Sequence, residues 1–194
     1  MAIVIFMTVS FLAVGLKYQT RAFFRLPAAV RSTVSFLHAG IVLINIFLYG
    51  LLCAADNGSL ILPPALRIAG AVIAVPGIGL ILAGVMTLRA ALFFPQSSDR
   101  LITGPIFMLV RNPMYLGGIV GSLGIALAAA SRYALIYTAI FAAVLYVVSR
   151  LEEHDLAVRF GAGFEDYRRQ VPLLMPTPSS VAAFIRRYRG RARP

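Results

Sequence analysis

The sequence is short of charge, and little of the charge it has is negative. Only 13% of its 194 residues are charged, and 7 Asp and Glu stand against 18 Lys and Arg, for a formal net charge of +11. A chain that is 60% hydrophobic with a mean hydropathy of +0.86 lies outside the range of soluble domains and reads as a membrane protein. Cysteine is nearly absent: Cys53 alone excludes an internal disulfide and a cysteine metal cluster. Set in an apolar run, it reads as a small buried residue, and no metal site is expected. The glycine fingerprint of soluble dinucleotide-binding folds is also missing. Gly77, Gly79 and Gly84 lack the G-x-G-x-x-G spacing and fall within an apolar span rather than between a strand and a helix.

Apolar runs occupy 1–16, 33–55, 66–88, 114–130 and 133–149. A spanning helix needs about 20 apolar residues, which the second and third runs supply. The first lacks a basic region before it and a small-residue cleavage site after it, so it is expected to be a spanning or near-spanning helix rather than a secretory signal. The last two are short and nearly continuous, separated only by Ser131 and Arg132, and predict a tight helical hairpin.

The basic excess suits either a nucleic-acid face or a membrane topology, and its positions decide between them. Lys17, Arg21, Arg25 and Arg31 follow the first run. Arg89, Arg100 and Arg111 follow the third, and the remaining basic residues from Arg150 onward follow the fifth. Only Arg67 and Arg132 fall on the other side, with Asp56 in the loop before Arg67. Because Lys and Arg in short loops stay cytoplasmic, the pattern predicts an all-α polytopic protein of about five transmembrane helices. Its amino terminus is outside and its carboxyl terminus is cytoplasmic, and no nucleic-acid partner is expected.

One membrane-embedded domain over 1–178 is expected, followed by a basic tail at 179–194. The longest polar connection between the later helices is FPQSSDRLIT, 94–103. Beyond Ser149, Leu156, Phe160, Phe164, Tyr167 and Val171 recur at steps of three and four and predict an interfacial helix pair broken at Gly161 and Gly163. Pro172, Pro176 and Pro178 are expected to end regular structure. The tail FIRRYRGRARP suits an anionic lipid surface or a solvated disordered tail, and the sequence leaves both open.

Two polar stations stand out in this apolar chain. Asn112-Pro113 is a helix-start signal, since proline is tolerated where the amide would be unpaired anyway. Capping does not account for Arg111 or for Tyr115, which lies one turn on beside Gly117 and Gly118. A guanidinium beside free helix amides makes a site for a carboxylate. Gly117 and Gly121 have the spacing of close helix packing, with room for a ligand as the alternative at Gly117. The second station is Glu152-Glu153, where the fifth helix leaves the membrane. A solvated helix end, with Asp155 and Arg159 paired one turn apart, is the simpler reading of that station alone. The hairpin brings the stations side by side at one membrane face, which would suit a zwitterion carrying an ammonium and a carboxylate.

The run GPIFMLVRNPMYLGG followed by EEHDLAVRFGAGFEDYRRQVPLLMP resembles the isoprenylcysteine carboxyl methyltransferase and phospholipid methyltransferase group over 104–176. Members carry Arg-His-Pro-x-Tyr, a helical hairpin, a Glu-Glu pair, then Phe-Gly, Tyr and a Val-Pro-x-x-x-Pro-like end. Paired motifs at this separation are far more specific than either alone. The resemblance implies a cytoplasmic helical extension that forms a pocket for S-adenosylmethionine. Arg111, Asn112, Pro113, Tyr115 and Gly117 would form one wall, Glu152 and Glu153 would hold the methionine end, and Phe160, Tyr167 and the Pro172 segment would close the site. Catalysis would depend on Arg111 and Glu153. Asn112 stands where His is usual, so no acid-base role is assigned there, and Val148 stands where the eukaryotic carboxyl methyltransferases have Arg.

The implied activity is methyl transfer to a lipophilic acceptor, a carboxylate, thiol or amine of an isoprenylcysteine-like molecule or a lipid, in a bacterial inner membrane. An amine must lose a proton, which Glu152, Glu153 or water would accept. His154 is expected to be solvated. His38, within a span, is expected to hydrogen-bond between helices, as is Asn45 two turns on. The alternatives are a membrane reductase of the sterol-reductase type and a non-enzymatic membrane scaffold. Nothing in the sequence sets the oligomeric state.

Overall fold

The computed structural model describes residues 5–10, 27–93, 101 and 103–191, and all of their regular structure is helical. In chain order the elements are α1 (Ala28–Ala55), α2 (Pro64–Phe93), a 3-10 turn (Pro105–Met108), α3 (Pro113–Ala129), α4 (Arg132–Phe160), α5 (Ala162–Gln170) and α6 (Pro178–Arg191). Residues 5–10 are helical as well. The all-α expectation holds. Among the described residues, Pro64–Thr87 and Arg132–Phe160 are long and apolar enough to cross a membrane, while Ala39–Ala55 and Pro113–Ala129 are shorter apolar helices. Most of the first apolar run lies outside the described residues, as do most of the 94–103 connection and the end of the tail.

Large apolar side chains stand largely exposed along α1 and α2, among them Phe36, Phe47, Val75 and Met86. A surface of that kind is costly in water and stable against hydrocarbon.

The chain divides into two compact units, one formed by Met1–Gly77 with Ile119–Val148, the other by Ile78–Gly118 with Ser149–Pro194. In the first unit, Met7, Tyr49, Leu52, Cys53, Ala126, Ala134 and Tyr137 form the buried cluster. Cys53 is therefore the small buried residue its setting implied. Rings of Tyr49 and Tyr137 sit 5.3 Å apart, and those of Tyr137 and Phe141 stack at 5.5 Å. Polar groups inside this core are paired: the Tyr49 hydroxyl donates to the Ser122 carbonyl at 2.6 Å, and Asn45 Nδ2 donates to Ser10 Oγ at 3.1 Å and to the Ile41 carbonyl at 2.8 Å. Asn45 thus links two helices as expected. His38 lies outside the described side chains.

Close helix packing in this unit is seen at Gly70 and Gly124. A Cβ on Gly124 would lie 2.5 Å from the Ala74 amide nitrogen and 2.6 Å from the Gly70 carbonyl, so α2 and α3 meet backbone to backbone there. Gly117 and Gly121 are buried.

The hairpin between α3 and α4 is as tight as the sequence implied, with only Ala130 and Ser131 between the helices. Ala130 takes a left-handed φ of 49° to make that turn. The turn itself and the loop after α1 then cap α4: Ser131 Oγ accepts the Ala134 amide at 3.1 Å, Ser59 Oγ accepts the Arg132 amide at 2.9 Å, and Asp56 Oδ2 accepts the Tyr133 amide at 2.9 Å and the Ser131 hydroxyl at 2.8 Å. Arg67 adds hydrogen bonds to the Ala128 carbonyl and to Asn57. The amide of Tyr133 above all, with the Ser131 hydroxyl, lowers the Asp56 pKa. A carboxylate at a helix amino terminus also meets the positive end of the helix dipole.

Because the folded-state pKa of Asp56 lies below its unfolded value of about 3.9, its charge stabilises the fold above that value. The contribution is lost as pH falls through the folded-state value. Asp56→Asn is therefore expected to melt below wild type at neutral pH, with the gap narrowing below about pH 4. Thermal melts in detergent at the two pH values check this; a gap that does not change with pH would refute it.

Candidate functional site

Both predicted stations belong to the second unit, and the structure brings them into direct contact. Pro113 opens α3, with the Leu116 amide bonded to the Asn112 carbonyl at 3.1 Å as its first full turn. The amides of Met114 and Tyr115 precede that bond and have no place in the helix ladder. On the other side, α4 runs on past Ser149 as far as Phe160 and carries Glu152 and Glu153.

Arg111 and Glu153 form an ion pair: Nε and Nη2 of the guanidinium both reach Glu153 Oε1. The side chains are only 9% and 5% exposed, so the pair is buried. Nη1 of Arg111 donates to the Arg168 carbonyl at 2.8 Å and also to the Val171 carbonyl. Thus every guanidinium nitrogen has a protein acceptor. Main-chain bonds repeat the connection, from the Arg111 amide to the Pro172 carbonyl at 2.8 Å and from the Asn112 amide to the Leu173 carbonyl at 3.2 Å. Arg111 therefore ties together the start of α3, the extension of α4 and the segment after α5.

The second link is lighter. The Tyr115 hydroxyl donates to Glu152 Oε1 at 2.5 Å, which leaves the other oxygen of Glu152 uncommitted among the described residues. The two adjacent carboxylates are thus unlike. Glu153 has both oxygens engaged, because Arg150 Nη1 meets its Oε2 at 3.1 Å, whereas Glu152 keeps one acceptor.

The extension beyond α4 is shaped by one glycine. Gly161 takes φ 52° and ψ −127°, a backbone region open to glycine and strained for other residues, and so turns the chain between α4 and α5. Gly163, expected to break the pair as well, lies inside α5 because one such turn suffices. Phe164 is completely buried, Val171 is buried and Tyr167 is half-buried, so much of the predicted apolar face exists. Tyr167 donates its hydroxyl to the Phe107 carbonyl at 2.7 Å, which fastens α5 to the 3-10 turn. Burial pushes the Tyr167 pKa above its ordinary range, Arg111 opposes that shift and Glu153 adds to it, so the hydroxyl stays a donor at neutral pH. His154 is exposed, and Asp155 pairs with Arg159 at 3.8 Å, both as the sequence implied.

Two features were not foreseen. Arg150 is the second cation on Glu153, one helical turn back, a pairing that i, i+3 spacing contained. Pro178 begins α6 instead of ending regular structure: Ser180 N donates to Thr177 Oγ1 at 3.3 Å and Thr177 N to Ser180 Oγ at 3.0 Å, a reciprocal cap with proline at the first helical position.

The family model for phospholipid methyltransferase matches residues 66–163. Methanethiol S-methyltransferase 2 of Bradyrhizobium diazoefficiens is 34% identical over 71 residues, 37% of this chain and 27% of that protein. The nickel-cobalt-cadmium resistance protein NccN of Alcaligenes xylosoxydans xylosoxydans is 32% identical over 112 residues, 56% of this chain and 52% of that protein. The chain therefore spans about half of one curated relative and less of the other. No solved structure matches.

Removing Arg111 leaves a buried carboxylate with one half-exposed partner, so Arg111→Ala is expected to cost ~3–5 kcal/mol. Arg150 is 55% exposed, and Arg150→Ala is expected to cost less than ~1 kcal/mol. Equal losses in chemical unfolding of the two variants would show that the clamp is not the dominant tie.

Proposed function

We propose a function from one established premise: the chain belongs to the phospholipid methyltransferase family. It is an integral membrane enzyme that transfers a methyl group from S-adenosylmethionine to a lipophilic acceptor. The observation that carries this reading is the division of labour between the two carboxylates, Glu153 consumed by the Arg111 clamp and Glu152 left with a free acceptor oxygen.

The donor set fits a zwitterionic amino-acid end. Glu152 would take the ammonium, and the first-turn amides of Met114 and Tyr115 would take the carboxylate, aided by the positive end of α3. Asn112, Pro113 and Gly117 would shape that wall, and Tyr167, held by Phe107, would close the pocket. Arg111 and Glu153 would act by holding this arrangement. When bound, S-adenosylmethionine supplies a methyl group on a sulfonium already activated for displacement. What the chain must add is alignment of the acceptor in line with the breaking bond and exclusion of water, which together supply much of a displacement's acceleration. A thiolate or carboxylate acceptor needs no further base, whereas an amine would pass its proton to Glu152 or water. The thiol in the name of the Bradyrhizobium relative keeps a thiol among the acceptor classes. In this reading the site faces the cytoplasm and the chain has five spans in a bacterial inner membrane, a reading supported by the distribution of Lys and Arg and by the bacterial relatives.

S-adenosylhomocysteine is expected to bind the detergent-purified, lipid-supplemented protein saturably in calorimetry. Glu152→Gln should weaken that binding by roughly tenfold to a hundredfold, the scale of a charged hydrogen bond, with its melting temperature nearly unchanged. Absence of binding to wild type, or unchanged affinity in Glu152→Gln, would overturn the reading.

A further inference from the structure

A basic helix is seated where the sequence allowed a disordered tail. α6 (Pro178–Arg191) is capped by Thr177 and Ser180 and packs against the 3-10 turn Pro105–Met108, the turn whose Phe107 carbonyl receives Tyr167. Val181 and Phe184 are half-buried, while Ile185 is 44% exposed beside the exposed Arg186 and Arg187. From Pro178 to the last residue the sequence has five Arg and no acidic residue. Hence no carboxylate on this helix neutralises the cations, and among the described residues the arginine ion pairs of this unit are made elsewhere, by Arg111, Arg150, Arg159 and Arg168.

An exposed isoleucine between an apolar seat and two arginines has the pattern of an interfacial helix, with apolar side chains entering the headgroup boundary and guanidinium groups on lipid phosphates. We propose that α6 is an interfacial docking helix for the anionic surface of the membrane in which the protein sits, with Ile185 inserted and Arg186 and Arg187 bound to headgroup phosphates. Nothing in this proposal depends on methyl transfer. A nucleic-acid partner would use the same cations but would gain little from an exposed isoleucine, so the lipid surface is the better match.

The chain contains no tryptophan, so Ile185→Trp places a single fluorescent probe on the helix. The full-length variant is reconstituted in nanodiscs of phosphatidylcholine alone or of phosphatidylcholine with phosphatidylglycerol. The expected result is blue-shifted emission and protection from acrylamide in the anionic discs, reversed by high salt. Adding Arg186→Glu and Arg187→Glu should lower the docking equilibrium constant by about fivefold per residue or more, the scale of one basic residue at an anionic surface. Equal emission in both discs, or emission indifferent to the charge reversals, overturns the proposal, as does a blue shift of the same size when single-stranded RNA is added to protein in neutral discs. Circular dichroism of each variant identifies any that fail to fold; for these, Ile185→Trp with Arg186→Gln and Arg187→Gln is measured instead, and undiminished docking there also overturns the proposal.

Discussion

A guanidinium and a carboxylate removed from water must find each other and must also fill their remaining hydrogen-bonding positions, or the fold that holds them is heavily destabilised. Arg111 and Glu153 meet both conditions. Arg111 directs its other nitrogen at two carbonyls and Glu153 turns its second oxygen to Arg150. These acceptors come from segments far apart in the chain, so the pair acts as a register mark: the α3 start, the α4 extension and the 168–173 segment can satisfy it together in this arrangement. The main-chain bonds from Arg111 and Asn112 to Pro172 and Leu173 depend on the same register. Net stabilisation by a buried pair over an apolar substitute is small, and its role here is specificity of placement.

That placement leaves Glu152 free to differ from its neighbour. Successive residues on a helix point about 100° apart, so once Glu153 is committed to Arg111, Glu152 is presented elsewhere and meets Tyr115. One carboxylate of the pair is thus committed to the fold, and the other keeps an oxygen uncommitted among the described residues. In the first unit the constraints are of another kind. Backbone contact at Gly70 and Gly124 and the Asp56, Ser59 and Ser131 cap hold the α3–α4 hairpin, with no buried charge pair among the described residues of the unit.

Much of this was legible in the residues. Hydropathy and the Asn-Pro and Ser-Arg boundaries indicated the apolar helices, the α3 start and the short hairpin, because each is governed by local chemistry. The two stations were recognisable as unusual because charge is so scarce in this sequence. Their connection was less accessible: a sequence shows that Arg111 is out of place, but not that its guanidinium is filled by Glu153 and two carbonyls some 60 residues away. It had been expected to receive an anion. The same limit applies to Gly124, whose contact with α2 depends on helix rotation. Pro178 was misjudged because a proline after a loop signals either an end or a beginning, and the Thr177–Ser180 cap that decides between them requires the main chain to be seen.

The central claim is that the segment around Arg111 and the segment from Arg150 to Leu173 form one ligand-binding unit. Hydrogen exchange on the wild-type protein in lipid nanodiscs, with and without S-adenosylhomocysteine, tests it most directly. The account predicts that the ligand slows exchange together in the 3-10 turn with the first turns of α3, in the carboxyl-terminal end of α4, and in the segment after α5. Protection confined to one of these regions, or to α1 and the first half of α2, would contradict it.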